Sequence, residues 1–176
     1  PGLMERPPRP RSEGVINRHL LVRAWLFLGV ISAVLVMGGF FFVLWRAGWQ
    51  PGDPVSAGHP LHHAYRQATT ATFAGIVACQ VGTAFAARTD RVSLRRIGVL
   101  SNPLLLWGIA FELAFAAVVI YLPVAQSVFG TAALPAGTLA LLAPFPLVVW
   151  GADELQRARL RRSRTKHPED NSLAPQ

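Results

Sequence analysis

Apolar residues gather in four long runs, 24–45, 69–87, 103–122 and 134–150, which contain no Lys, Arg, Asp or His and one Glu. Between them the chain turns polar and rich in Pro and Gly. At 1.5 Å rise per residue the first three runs make helices of about 33, 28 and 30 Å, matching the ~30 Å hydrocarbon core of a bilayer. The fourth reaches only about 25 Å, at the short limit for crossing. The pattern predicts an all-α membrane protein with four transmembrane helices. A connector (1–23), a four-helix transmembrane domain (24–150) and a basic tail (151–176) follow from the same boundaries. Pro144 and Pro146 fall inside the fourth run, where each removes an amide donor, so that helix is expected to kink. Lipid offers no water to the broken backbone, so the kinked helix is expected to lean on its neighbours.

Charge adds an orientation. Counted from the N-terminus, the five segments outside the runs hold 5, 2, 4, 0 and 6 Lys and Arg. Loops on the cytoplasmic side retain basic residues, which predicts cytoplasmic N- and C-termini. In a soluble protein a net charge of +8 and a pI near 11.4 would suggest nucleic acid. Here the charge is the topological signal, with attraction to anionic inner-leaflet lipid, and no basic groove interleaved with aromatics exists for a nucleic acid. Trp45 and Trp49 sit where interfacial tryptophans belong. The first run is too long for the apolar core of a signal peptide. The 123–133 connection has no charge and is too short for a domain. The tail is expected to begin as a basic helix, with Gln156–Lys166 lipid-facing, and to end in disorder.

Few residues offer chemistry. Glu112 is the only charge within the runs and falls near mid-membrane, where a carboxylate costs on the order of 3 kcal/mol. It marks a proton or cation path, or it is a protonated acid bonded to a neighbouring helix. Gln80 is the next most costly group, and Thr83 shares its face. Together these oxygens fall short of the roughly six to eight that calcium takes, so the chain holds no complete cation site. His59, His62 and His63 cluster in a loop without supporting Cys or carboxylate, which favours interfacial histidines over a zinc site. Cys79, the lone cysteine, lies within the second run and has no intrachain partner. Ala71, Gly75, Ala78 and Gly82 form a stripe of small residues, read as helix packing in preference to a substrate path. No nucleophile arrangement or phosphate-binding glycine loop is present. The absence of an internal repeat disfavours a transporter built from inverted halves of this chain.

Three stretches resemble the C-terminal membrane region of P-type cation-transporting ATPases, in the calcium-pump and sodium-pump branch. Met4-Glu5-Arg6-Pro7-Pro8-Arg9 resembles the M-x-R-P-P-R connector between that family's sixth and seventh membrane helices. Ala68-Thr69-Thr70-Ala71-Thr72-Phe73, with Gln80, Phe85 and Arg88, resembles its eighth helix. Asn102, Tyr121-Leu122-Pro123, Phe129 and Asp153-Glu154 resemble its ninth and tenth. The resemblance makes the four runs helices seven to ten of a ten-helix transporter. By similarity Gln80 matches a position that carries a side-chain oxygen near the ion sites, and Glu112 matches a ninth-helix glutamate beside the extra sodium site of sodium pumps. Thr83 departs from the aspartate of those pumps, and the Gln…Phe-x-x-Arg form looks like bacterial pumps of the calcium type.

The family's D-K-T-G-T, T-G-E and G-D-G-x-N-D motifs do not occur in this sequence. The expectation is therefore a C-terminal fragment, or the product of a split or truncated gene, of a pump in a bacterial cytoplasmic membrane, with no cofactor of its own and no catalysis alone. ATP and Mg²⁺ would belong to the parent protein. Its expected partners are membrane lipid, the remaining helices and cytoplasmic domains of the pump, and a cation such as Ca²⁺, with no nucleic acid. The alternative is a stand-alone four-helix carrier or accessory subunit using Glu112 in a proton or cation path.

Overall fold

The computed structural model describes residues 26–88 and 102–166. The 4–9 connector, most of the basic loop between the second and third runs, and the end of the tail lie outside the described residues. Among the described residues the regular elements are six helices and no strand. These are α1 (Gly29–Arg46), α2 (His62–Arg88), α3 (Pro103–Tyr121), α4 (Pro123–Phe129), α5 (Ala136–Leu142) and α6 (Phe145–Lys166). Four stretches are long and apolar enough to cross a membrane: Leu26–Arg46, His62–Ala87, Pro103–Tyr121 and Ala136–Arg159.

The start of α3 is set by local chemistry. Pro103 occupies the first turn, where its missing N–H costs nothing, and the Asn102 side chain accepts the Leu105 amide at 3.3 Å. The expected kink in the fourth run is a full break. α5 ends at Leu142, and α6 starts at Phe145 after a turn over 143–144. Pro144 and Pro146 remove the amides that would have continued the ladder through this point. The broken helix is packed against its neighbours, as the lack of water requires: Leu142, Phe145 and Val149 are all buried in the core.

Helix α2 is the centre of the bundle, with its most extensive contacts to α1 and α6. Its buried line is Ala68, Ala71, Gly75, Cys79, Gly82 and Ala86, spaced at three and four residues, so that one stripe faces its partners. Small side chains there let backbones approach, the main source of helix association in lipid. A Cβ built on Gly75 would lie 3.3 Å from Val36 and 3.4 Å from the Phe145 ring. At Gly82 it would lie 2.6 Å from the Pro146 carbonyl oxygen and 2.9 Å from the Pro146 Cα. Only hydrogen fits between these two backbones. The packing reading of the stripe therefore holds for Ala71, Gly75 and Gly82, while Ala78 lies at the edge of the contact, half-buried.

The ends of the bundle near residue 130 are tied by polar side chains. Arg66, at the start of α2, donates Nε to Gly130 O at 3.1 Å and Nη2 to Gln126 O at 3.4 Å, and also donates to Thr131 O. Gln67 Nε2 donates to Ala133 O at 2.9 Å, and Thr70 Oγ1 accepts from the Ala132 amide at 2.9 Å. From the α3 side, Tyr121 donates to Leu134 O at 3.1 Å, and Thr131 donates to Val119 O at 2.6 Å. These bonds occupy the carbonyls of a segment that has no helix to satisfy them. They also fix where α5 begins. The chargeless 123–133 connection accordingly holds the short helix α4, opened by Pro123 and ended by Gly130 in the left-handed region at φ 67°.

Two outcomes follow. Gly82→Val forces α2 away from α6 and should cost the full-length protein about 2 kcal/mol or more of stability. Thermal unfolding in detergent checks this against Gly108→Val, where a Cβ meets nothing within 4 Å. Arg66→Met removes charge-assisted bonds of about 1.5–3 kcal/mol in sum. Hydrogen exchange should then quicken across 126–135 and stay unchanged in the middle of α2.

Candidate cation-pathway face

The partners of α2 leave one of its faces uncovered. Thr69, Thr72, Ile76, Gln80, Thr83 and Ala87 follow one another at three- and four-residue intervals along this face. Ile76, Gln80 and Ala87 are exposed and the threonines half-buried. Each threonine hydroxyl turns back to its own helix: Thr69 to Arg66 O at 3.0 Å, Thr72 to Ala68 O at 3.1 Å and Thr83 to Cys79 O at 3.0 Å. Such back-bonding satisfies the hydroxyl and leaves the oxygen a remaining lone pair. The Gln80 side chain is exposed and makes no hydrogen bond to another described residue.

Glu112 sits on α3, in line with Leu105, Ile109, Ala116 and Val119, the face that turns toward the bundle. It is half-buried, whereas the opposite face carries Leu104, Trp107 and Phe111 at 81%, 75% and 73% exposure. A carboxyl on the inward face follows from the cost of presenting it to hydrocarbon. Gln80 and Thr83 thus share a face of α2, but no hydrogen bond among the described residues joins either to Glu112. Among the described residues no group of three or more His, Cys, Asp or Glu is arranged to hold a metal ion. What the arrangement offers is a line of oxygen groups on one helix, short of a coordination shell by itself.

The histidine cluster serves the 47–61 loop. His59 Nδ1 accepts the Leu61 amide at 3.2 Å, and His62 Nδ1 lies 2.9 Å from Val55 O. His63 is exposed.

Two features escaped sequence reasoning. The first is the Arg66 clamp on the 126–131 carbonyls; its only signal was a cation at the polar start of a span. The second lies in α6, which runs on past Gly151 to Lys166 as one helix. There Asp153 is fully buried and Arg157 6% exposed, with Arg157 Nη2 at 2.6 Å from Asp153 Oδ2 and 3.3 Å from Glu154 Oε2. Arg157 therefore does not face lipid, a correction to the reading of Gln156–Lys166 as a lipid-facing stretch. Gln156 is half-buried as well. The i, i+4 spacing of an acid and an arginine was the available sign, and an ion pair satisfies the charge better inside the bundle than lipid could.

Comparison with known proteins bears on what this face belongs to. Residues 1–159 match the family model described as "Cation transporting ATPase, C-terminus". The chain is 31% identical over 173 residues to "Calcium-transporting ATPase 1" of Yarrowia lipolytica, covering 98% of this chain and 17% of that protein. It is 29% identical over 152 residues to "Calcium-transporting ATPase type 2C member 2" of Mus musculus, covering 86% of this chain and 14% of that protein. A potassium-transporting ATPase alpha chain of Xenopus laevis is 22% identical over 179 residues, covering 89% of this chain and 17% of its own length. The chain thus spans about a sixth of the length of the curated relatives it matches. These relatives are eukaryotic, and none supports the stand-alone carrier. With four apolar spans, a small-residue interface and a match over nearly its whole length, the chain is an integral membrane segment and belongs to the family of cation-transporting ATPase C-terminal regions.

Proposed function

We propose that this chain supplies helices seven to ten of an ATP-driven cation pump and acts as the buttress on which the ion-carrying helices rest. The observation that carries the reading is the uncovered face of α2. It is flanked by packed helices yet leaves Gln80 exposed, with Thr83 half-buried beside it. A polar helix face in a membrane protein turns to protein or to a water-filled path, because lipid cannot satisfy it. In this reading the remaining helices of the pump close over Gln80 and Thr83, and Gln80 lends its amide oxygen to the cation region. Glu112, turned inward on α3, contributes to the same region from behind α2.

The arginine distribution supports cytoplasmic placement of both ends of this segment. The printed names of the relatives favour Ca²⁺ as the cargo. ATP and Mg²⁺ would act in the cytoplasmic domains of the parent protein, and catalysis would belong to those domains. The bacterial cytoplasmic membrane remains our assignment from the Gln…Phe-x-x-Arg form. Lipid would meet the Leu104, Trp107 and Phe111 face of α3, which is apolar and exposed.

The test is Ca²⁺ uptake into vesicles by the full-length protein. Gln80→Ala removes one oxygen ligand of about 1 kcal/mol and should raise the Ca²⁺ concentration for half-maximal uptake about fivefold. Leu104→Ala, on the outward face of α3, should leave it unchanged. Equal affinities for Gln80→Ala and the wild type would remove Gln80 from the cation region.

A further inference from the structure

A second polar site opens where α1, α2 and α5 meet. A cavity of about 260 Å³ there is lined by Arg46, Gln67, Pro135, Gly137 and Thr138, among others. Arg46 is the last residue of α1. Its guanidinium lies over the Phe42 ring at 5.8 Å from the centroid, and Nη1 is 3.8 Å from where a Gly137 Cβ would be. The side chain therefore reaches from one helix to the start of another across the cavity mouth, and glycine at 137 keeps the space beside it open.

Two cations belong to this end of the bundle, and their environments differ. Arg66 is occupied by the carbonyls of Gln126, Gly130 and Thr131. Arg46 has no carboxylate or carbonyl partner among the described residues; its contact is the face of Phe42. Beside it are further donors. Gln67 spends one N–H on Ala133 O and keeps another, and Thr138 brings a hydroxyl. A guanidinium offers a planar fork of N–H groups that matches phosphate oxygens in pairs. The depth fits as well. Trp45 and Trp49 flank Arg46, with Phe41 stacked on Trp45 at 5.6 Å, and such aromatic residues settle at the headgroup level of a bilayer.

We infer that the Arg46–Gln67–Thr138 cavity binds a phosphate ester, that of a membrane phospholipid headgroup, with Arg46 as the anionic anchor. The inference rests on the membrane location of the chain and stands apart from the cation role proposed for Gln80. An apolar wall is available for the lipid's glycerol and upper acyl carbons in Val43 and Pro135.

Native mass spectrometry of the full-length protein, delipidated and offered dioleoylphosphatidylglycerol, tests this. Arg46→Ala should reduce retained phospholipid at this site about tenfold, the loss of one charge-assisted contact, with Arg46→Lys in between. Gly137→Leu keeps the charge but fills the cavity, and should reduce retention similarly. Dioleoylglycerol, which lacks the phosphate, should show no difference between wild type and Arg46→Ala. Displacement of the lipid by millimolar inorganic phosphate, with the same loss in Arg46→Ala, would assign the site to phosphate from solution and uphold the chemistry. Undiminished lipid retention in both Arg46→Ala and Gly137→Leu, with wild-type unfolding temperatures, would overturn the inference. Because Ca²⁺ uptake is not the readout, failure here leaves the pump reading untouched.

Discussion

The close approach of α2 and α6 at Gly82 and Pro146 is the contact on which the rest depends. In hydrocarbon, apolar side chains gain nothing by leaving lipid for one another, so helix association must come from dispersion contacts between surfaces that fit. The line from Ala68 to Ala86 provides such a surface, and the 2.6 Å gap between a Gly82 Cβ and the Pro146 oxygen shows how completely it is used. The same proline that breaks the fourth run supplies the backbone against which α2 packs. Phe145 then turns inward toward Gly39 and Gly75, joining α1 to the pair. A feature that weakens one helix in isolation is therefore what docks it.

The consequence for function is geometric. Once α2 has given one side to α1 and α6 and another to α3, its remaining side is the one carrying Ile76, Gln80 and Thr83, with Thr69 and Thr72 at its edge beside α1. The polar groups avoid the small-residue line because a buried, tightly packed stripe has no room for them. Sorting by size thus produces sorting by polarity, and the oxygen groups collect on the face the four spans leave open. The Arg66 clamp keeps α4 and the start of α5 from drifting at the opposite end of the helix, so the face is presented by a fixed scaffold.

Much of this was legible in the residues. Runs of apolar residues without charge report spans because a bilayer penalises every exception, and each of the four overlaps a helix long and apolar enough to cross, the second helix starting earlier and the fourth running on to Arg159. The 71, 75, 82 spacing reported packing for the same reason. Other features were hidden by their chemistry. Helix α2 begins at His62, roughly two turns before its apolar run, because His, Tyr, Arg and Gln are compatible with helix and only leave the hydrophobic pattern. Helix α4 lies in a connection whose lack of charge gave no periodic signal. Arg157 reads as part of a lipid-facing basic stretch, and its burial depends on where α6 meets the bundle, which composition does not encode. The long-range bonds of Arg66 to carbonyls some sixty residues away were out of reach for the same reason.

In the assembled pump, we propose, α2 turns Gln80 toward protein while α3 turns Trp107 toward lipid. Spin labels placed singly at Ile76, Gln80 and Thr83, and at Leu104, Trp107 and Phe111, in the full-length protein reconstituted in bilayers, measure it directly through collisions with oxygen dissolved in the lipid. Oxygen accessibility should be low at the three α2 positions and high at the three α3 positions. High accessibility along 76, 80 and 83 would mean that the polar face of α2 meets lipid and that no further helices close over it.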